Sequence, residues 1–297
     1  MRLGFSLPIF GRTGTEPGGI ARFAQAAEAA GAASLWVGDR LLSPVNPVIG
    51  YGGTNTMPDL FRVSPDPLTA LTLAAAVTKT ATLGSATLNA TQYQPVALAR
   101  TLTTIDVASN GRLLPGFGLG WSPDEYAAVG VPFEGRGKRL DDVLDLLDAW
   151  WSTSPVAHNG IGYTVPSSHV ELKPVRTPPV HLAAFTPRGF RRVAERAAGW
   201  LPLWTIPEQA PLDTLTQNLA TIRAAAETAG RDPDTIQVAL RLNPTPGVSV
   251  ETIAEHVHKT VPALGADETH VDLHMLSSTV DEAIDLAGQV LELVNKG

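Results

Sequence analysis

Residues 113–126 read LLPGFGLGWSPDEY. An apolar start runs into glycine at every second position, Gly116, Gly118 and Gly120, followed by Trp121 and then by Ser122-Pro123-Asp124-Glu125. Side chains of an extended chain alternate between faces, so the three glycines predict one bare face. A bare face admits a flat ring or another backbone at close range, or it leaves room for bulky core neighbours. A single strand glycine favours the second reading; three in register at a strand end favour the first. Ser122 as N-cap, Pro123 at the first helical position and Glu125 at N3 spell a capping box, and simple capping is the expected role of Ser122 and Glu125. The stretch therefore reads as a strand that turns directly into a helix. A dinucleotide-binding fingerprint fits it poorly. Leu119 and Trp121 break the required spacing, and Asp141, about 20 residues on, sits inside an amphipathic helix rather than at a strand end.

The same strand-then-helix unit recurs outward from this point. Strands are predicted at 3–7, 34–37, 82–88, 112–117, 180–184, 200–204, 236–242 and 269–273. Helices are predicted at 20–30, 67–78, 95–109, 138–151, 187–198, 212–229, 250–264 and 280–295. Asp66 and Pro67 open one of these, Gly31 stops another, and Leu140, Val143, Leu144, Leu147 and Trp151 form the apolar stripe of a third. A helix between successive strands implies parallel pairing. Eight such units in 297 residues predict an α/β fold, a (β/α)8 TIM barrel, with a doubly wound sheet as the alternative. Two segments break the rhythm. The Pro/Gly-rich stretch 43–65 follows the second strand and is expected to form a lid. Residues 157–174 are expected to form an inserted hairpin. With no second core, no long repeat and no low-complexity tract, residues 1–297 read as one domain.

Composition narrows the function. A net charge of −7 argues against nucleic acid or an anionic membrane as partner. The absence of cysteine excludes disulfides, thiolate catalysis and cysteine metal sites. No apolar run approaches the ~18 residues of a spanning helix. The opening MRLGFSLPIF is broken by Pro8 and reads as the first strand rather than a signal peptide, so a cytoplasmic location is expected.

Barrel enzymes place their chemistry at the C-terminal strand ends. Asp39-Arg40 closes the second strand, as a polar anchor or as an ion pair to a neighbouring helix; both readings stand. Thr186-Pro187 caps a helix whose first turns carry Arg188, Arg191 and Arg192, against a macrodipole preference of ~0.3–1 kcal/mol each. An anion bridging them would reverse that sign; three solvated arginines, with Arg191 pairing Glu195, would also account for them. The residues alone leave these two readings level. His270, Asp272 and His274 share a face of the last strand. The early strands, GFSLPIF and SLWV, add no further ligand, so packed or exposed histidines are expected and no metal. No G-x-S-x-G elbow and no activated nucleophile are present. Such a site points to a bound cofactor as the carrier of the chemistry.

Three stretches together, LWVGDRLL (35–42), the segment 66–143 running from DPLTAL to RLDDV, and PPVHLAAFTPRGFRRVAERAAGWLP (178–202), resemble the bacterial luciferase-like family of flavin and deazaflavin oxidoreductases. Within it the chain is most similar to the actinobacterial branch that uses the deazaflavin coenzyme F420. The resemblance implies a (β/α)8 barrel with the cofactor ring across the strand ends. It implies a bulge at Ser85-Ala86-Thr87 with a non-proline cis peptide at Ala86–Thr87. It implies ring contacts from Asp39, Arg40, Thr87, Asn89 and Trp121 beside the bare Gly116, Gly118 and Gly120, and a phosphate held by Thr186, Arg188 and Arg191. Asp39, Arg40 and Trp121 are the catalytic candidates. Arg40 and Trp121 stand where sugar-phosphate dehydrogenases of this kind carry His and Glu, so that activity is not expected. Ala184-Phe185 replaces the usual Gly-Gly, and Ala198 an acidic residue. The expected function is hydride transfer between deazaflavin carbon 5 and a small organic substrate. An FMN-dependent monooxygenase and a catalytically silent cofactor-binding barrel are the alternatives. Dimers are common in the family, and a homodimer is the expectation it carries.

Overall fold

The strand-then-helix rhythm closes on itself in the computed structural model, which describes residues 1–296. The strands are β1 (Leu3–Ser6), β2 (Ser34–Val37), β3 (Thr82–Ser85), β4 (Leu113–Leu114), β5 (Gly116–Phe117), β6 (Val156–Gly160), β7 (Tyr163–Ser168), β8 (His181–Leu182), β9 (Gly199–Trp200), β10 (Leu203–Ile206), β11 (Gln237–Pro244) and β12 (Glu268–Val271). Proline has no N–H to give a ladder. Pro115 accordingly splits β4 from β5, and Pro202 lies in the break between β9 and β10; each pair forms one stave of the barrel. β6 and β7 stand apart, so eight staves remain. Every adjacent pair of staves is parallel, and the ring closes where Leu3 registers with Thr269. Beside β4, the chain beyond β3 bridges the stave again at Leu88–Phe117. This is the (β/α)8 barrel that the sequence predicts.

The helices are α1 (Gly19–Ala29), α2 (Pro67–Val77), α3 (Pro95–Ala108), α4 (Pro123–Ala128), α5 (Arg136–Ser152), α6 (Pro187–Arg196), α7 (Leu212–Thr228), α8 (Val250–Leu264) and α9 (Val280–Lys296). Their starts follow local chemistry. Asp66 accepts from the Thr69 amide at 2.7 Å and Gln94 from the Ala97 amide at 2.6 Å, with proline at the first helical position of both. The apolar stripe of α5 is buried as its period demands, and Leu146 and Trp150 join it. Inside the barrel Trp36, Ala86, Leu114, Leu201 and Ala239 make a separate small core. Trp36 stacks there on His270, with ring centroids 4.4 Å apart.

β6 and β7 pair antiparallel, as the inserted hairpin should. Its strands end at Ser168, short of the predicted boundary, and His158 ties it to α5 through Asp142 at 2.9 Å. Residues 43–65 are irregular apart from two short 3-10 turns, Tyr51–Gly53 and Asp59–Arg62. No helix among the described residues is long and apolar enough to cross a membrane.

Candidate functional site

At the C-terminal ends of the staves the chain encloses a cavity of about 410 Å³. Asp39 enters its wall directly beyond β2. The Asn89 amide donates to Asp39 Oδ2 at 2.8 Å, and the Tyr93 phenol donates to the same oxygen at 3.0 Å. No donor among the described residues reaches Oδ1, which is left to the cavity. Loss of solvation pushes this carboxyl up to about 6, against the pull of the two donors and of neighbouring Arg40. Burial and the nearby Asp39 charge push the Tyr93 phenol above its usual range, so it stays a donor. Tyr93 carries no motif by which sequence reasoning could single it out.

Arg40, the next residue, is buried and has no free charge to offer. Its Nε donates to Glu125 Oε1 at 2.6 Å and its Nη2 to Oε2, while the Leu41 and Leu42 amides also donate to Oε1 at 2.8 and 3.3 Å. Of the two sequence readings of Arg40, the ion pair to a helix is the one realised. This corrects the capping-box reading of 122–125. Ser122 makes no capping bond, its Oγ is buried without a partner, and the carboxylate of Glu125 turns to Arg40 instead. A cap is worth about 1 kcal/mol, whereas an unmatched buried guanidinium costs several. The Arg40 guanidinium carbon also lies 4.5 Å from the centre of the Trp121 ring.

The three glycines do different jobs. Gly116 does not line the cavity: a Cβ there would meet the Ser85 carbonyl oxygen at 1.9 Å and Leu201 Cδ1 at 2.6 Å. Ser85 lies beside it, fully buried, its hydroxyl donating to the Gly116 carbonyl at 2.9 Å and accepting from the Gly116 amide at 2.8 Å. Gly118 does line the cavity, and a Cβ on it would come 2.4 Å from Thr87 Oγ1. Gly120 also lines it, at φ +66°, so the extended geometry has already ended. The single bare face is thus corrected to one close approach in the core and two positions on the wall.

Ala86, Thr87 and Asn89 follow β3 onto the wall, and the Ala86–Thr87 peptide is cis. Arg241 Nη1 donates to the Ala86 carbonyl at 3.0 Å and its Nη2 donates to Asp272, which meets His274 Nε2 at 3.0 Å. Sequence reading missed Arg241; its signal was a lone arginine within the apolar run VALRLN (238–243). His270 shares their face but makes no hydrogen bond to Asp272 or His274; it stacks on Trp36 inside the barrel. Both its ring nitrogens lack partners, and burial holds its pKa well below the ordinary value.

Thr186 caps α6 by accepting from the Gly189 amide at 3.2 Å. Thr186, Gly189 and Arg192 line the cavity; Arg188 and Arg191 are exposed and do not. Arg192 is matched by Asp141, Nε to Oδ1 at 2.5 Å, and no ion pair forms between Arg191 and Glu195. Residues 43–65 contribute Tyr51 and Phe61, which meet edge to face with centroids 5.2 Å apart; Phe61 meets Phe10 likewise at 5.3 Å. Among the described residues the wall holds no serine, histidine or lysine. The described wall therefore supplies shape, hydrogen bonds, the hydroxyls of Tyr51, Thr87 and Thr186, and one carboxyl pushed up toward neutrality.

The family model for luciferase-like monooxygenases matches residues 1–287. An uncharacterized protein of Mycobacterium tuberculosis is 31% identical over 238 residues, 78% of this chain and 81% of that protein. An F420-dependent glucose-6-phosphate dehydrogenase of Kineococcus radiotolerans is 29% identical over 241 residues, 79% of this chain and 67% of that enzyme. The crystal structure of a monooxygenase from Streptomyces bottropensis shares the fold at a TM-score of 0.79 and 18% identity, over 100% of this chain and 99% of that one.

Proposed function

This chain belongs to the luciferase-like monooxygenase family, whose relatives include F420-dependent and FMN-bound enzymes, and on that premise we propose that it is an F420-dependent oxidoreductase acting on a small organic substrate. The observation that carries the reading is Asp39, the one carboxyl among the wall residues, beside a wall of glycines, rings and hydroxyls with no redox-active side chain. A cofactor must then bring the electrons. The wall suits a flat ring that ends in a phosphate. Gly118 and Gly120 present no side chain beside Thr87 and Trp121, while Thr186, the Arg188 amide and Arg192 would hold the anion. When bound, the deazaflavin supplies carbon 5 as the donor or acceptor of a hydride. Asn89 and Tyr93 hold the Asp39 carboxyl through Oδ2, so that Oδ1 can hold or release a proton near neutral pH. The Arg40–Glu125 pair fixes the plane of Trp121, and Tyr51 and Phe61 keep water from the mouth. The F420-dependent relative matched over most of the chain supports the deazaflavin over FMN. Arg40 and Trp121, in place of the His and Glu of the sugar-phosphate enzymes, argue for a different substrate. Fluorescence titration tests the reading: oxidised F420 should be quenched with a micromolar dissociation constant and FMN should bind far more weakly. Tight FMN binding with none for F420 would overturn it.

A further inference from the structure

Three arginines reach the cavity, and each already has a carboxylate: Arg40 has Glu125, Arg192 has Asp141 and Arg241 has Asp272. The fourth charged wall residue, Asp39, is held only by neutral donors and leaves an acceptor oxygen free. Away from the α6 side, the cavity therefore holds no uncompensated positive charge and one uncompensated carboxyl. Its two ends also differ. Phe10 follows the first stave and α6 follows the fifth, which lies opposite in a closed ring of eight. The Phe10 side is built from rings: Phe10, Phe61, Tyr51 and Trp121 form a chain with successive centroids 5.3, 5.2 and 6.2 Å apart. Trp121 gives a face to Arg40, whose charge is cancelled within the protein.

From this juxtaposition we propose that the substrate is an uncharged molecule with an apolar body and one hydrogen-bonding oxygen. Its body packs against Tyr51, Phe61 and Trp121; a hydroxyl on it donates to Asp39 Oδ1, and a carbonyl oxygen in the same place accepts from the protonated carboxyl. A carboxylate or phosphate placed there would lose its water without gaining a counter-charge, and would face Asp39 besides. The proposal rests on reading the cavity as the active site, but not on which cofactor fills the α6 side.

Acetophenone and para-acetylbenzoate differ by one carboxylate and form a matched pair of probes. Calorimetric titration of the purified protein at about pH 5, where the Asp39 carboxyl can donate to a ketone and the benzoate keeps its charge, without cofactor and again with F420, should give acetophenone at least a tenfold lower dissociation constant than para-acetylbenzoate. Tyr51→Ala, at a half-buried position of a short turn, should weaken acetophenone about tenfold. Phe61→Lys should reverse the preference by supplying an unmatched cation. Equal or tighter binding of para-acetylbenzoate to the unaltered protein, or no saturable binding of acetophenone in either form, overturns the proposal. If F420 fails to bind while acetophenone is still selected, the cofactor reading falls and this one stands. If F420 binds and the carboxylate is preferred, only this one falls.

Discussion

Replacing Asp39 by asparagine removes the only wall charge that lacks an opposite partner. The amide carbonyl can still accept from Asn89 and Tyr93, so the shape and both hydrogen bonds remain. In the folded protein this carboxyl titrates at about 6 rather than 3.8. Between those values the folded state holds a proton that the unfolded chain has released, so stability falls as pH rises through that window. The rise is worth about 3 kcal/mol at ~1.4 kcal/mol per tenfold change in proton affinity, and partial exposure of the side chain lowers it to about 1–3 kcal/mol. The asparagine variant should therefore be the more stable protein at about pH 8, by roughly 2–6 °C in Tm for a chain of this size. At about pH 3, below both values, where the aspartate is mostly protonated in both states, the difference should shrink toward zero. Thermal denaturation of both proteins without cofactor, at both pH values, measures this. An asparagine variant no more stable than the parent at the higher pH, or equally shifted at both, would refute the assignment of Asp39 as a desolvated, unpaired carboxyl.

Glu125→Gln leaves Arg40 buried without its partner and should cost about 3–5 kcal/mol in urea denaturation; an unchanged midpoint would contradict the pairing. Gly116→Ala drives a Cβ onto the Ser85 carbonyl and should cost at least ~2 kcal/mol. Gly288→Ala, in open space on α9, should instead gain ~0.5–1 kcal/mol, and denaturation midpoints of the two variants should move in opposite directions. Arg192→Ala should raise the F420 dissociation constant about tenfold, or ~1.4 kcal/mol, whereas Arg188→Ala should leave it unchanged in the same titration.

The barrel was legible because its signals are local. Asp66-Pro67 and Thr186-Pro187 mark helix starts within a few residues, and Asp66 and Thr186 each make the cap in the structure. The glycine run showed where the chain must come close to something, but not to what. Gly116 answers to Ser85, 31 positions away, and periodicity carries no such information. The capping box failed for the same reason. Its pattern is complete in sequence, yet Glu125 is claimed by a residue 85 positions earlier, and burial rather than spacing decides between the two. Asp39, Thr87, Trp121 and Thr186 could be placed at the mouth because strand ends are readable. Which arginine of α6 faces inward could not, since Asp141 on α5 settles it across the helix interface.

The central claim is best tested by following the hydride. Reduced F420 carrying deuterium at carbon 5 is mixed with the protein and neutral ketones under an atmosphere of heavy-oxygen dioxygen, and the products are analysed by mass spectrometry. The account predicts deuterium on the new carbinol carbon and no heavy oxygen in the product. Heavy oxygen incorporated when reduced FMN replaces reduced F420, with no deuterium transferred from the deazaflavin in the parallel reaction, would contradict it.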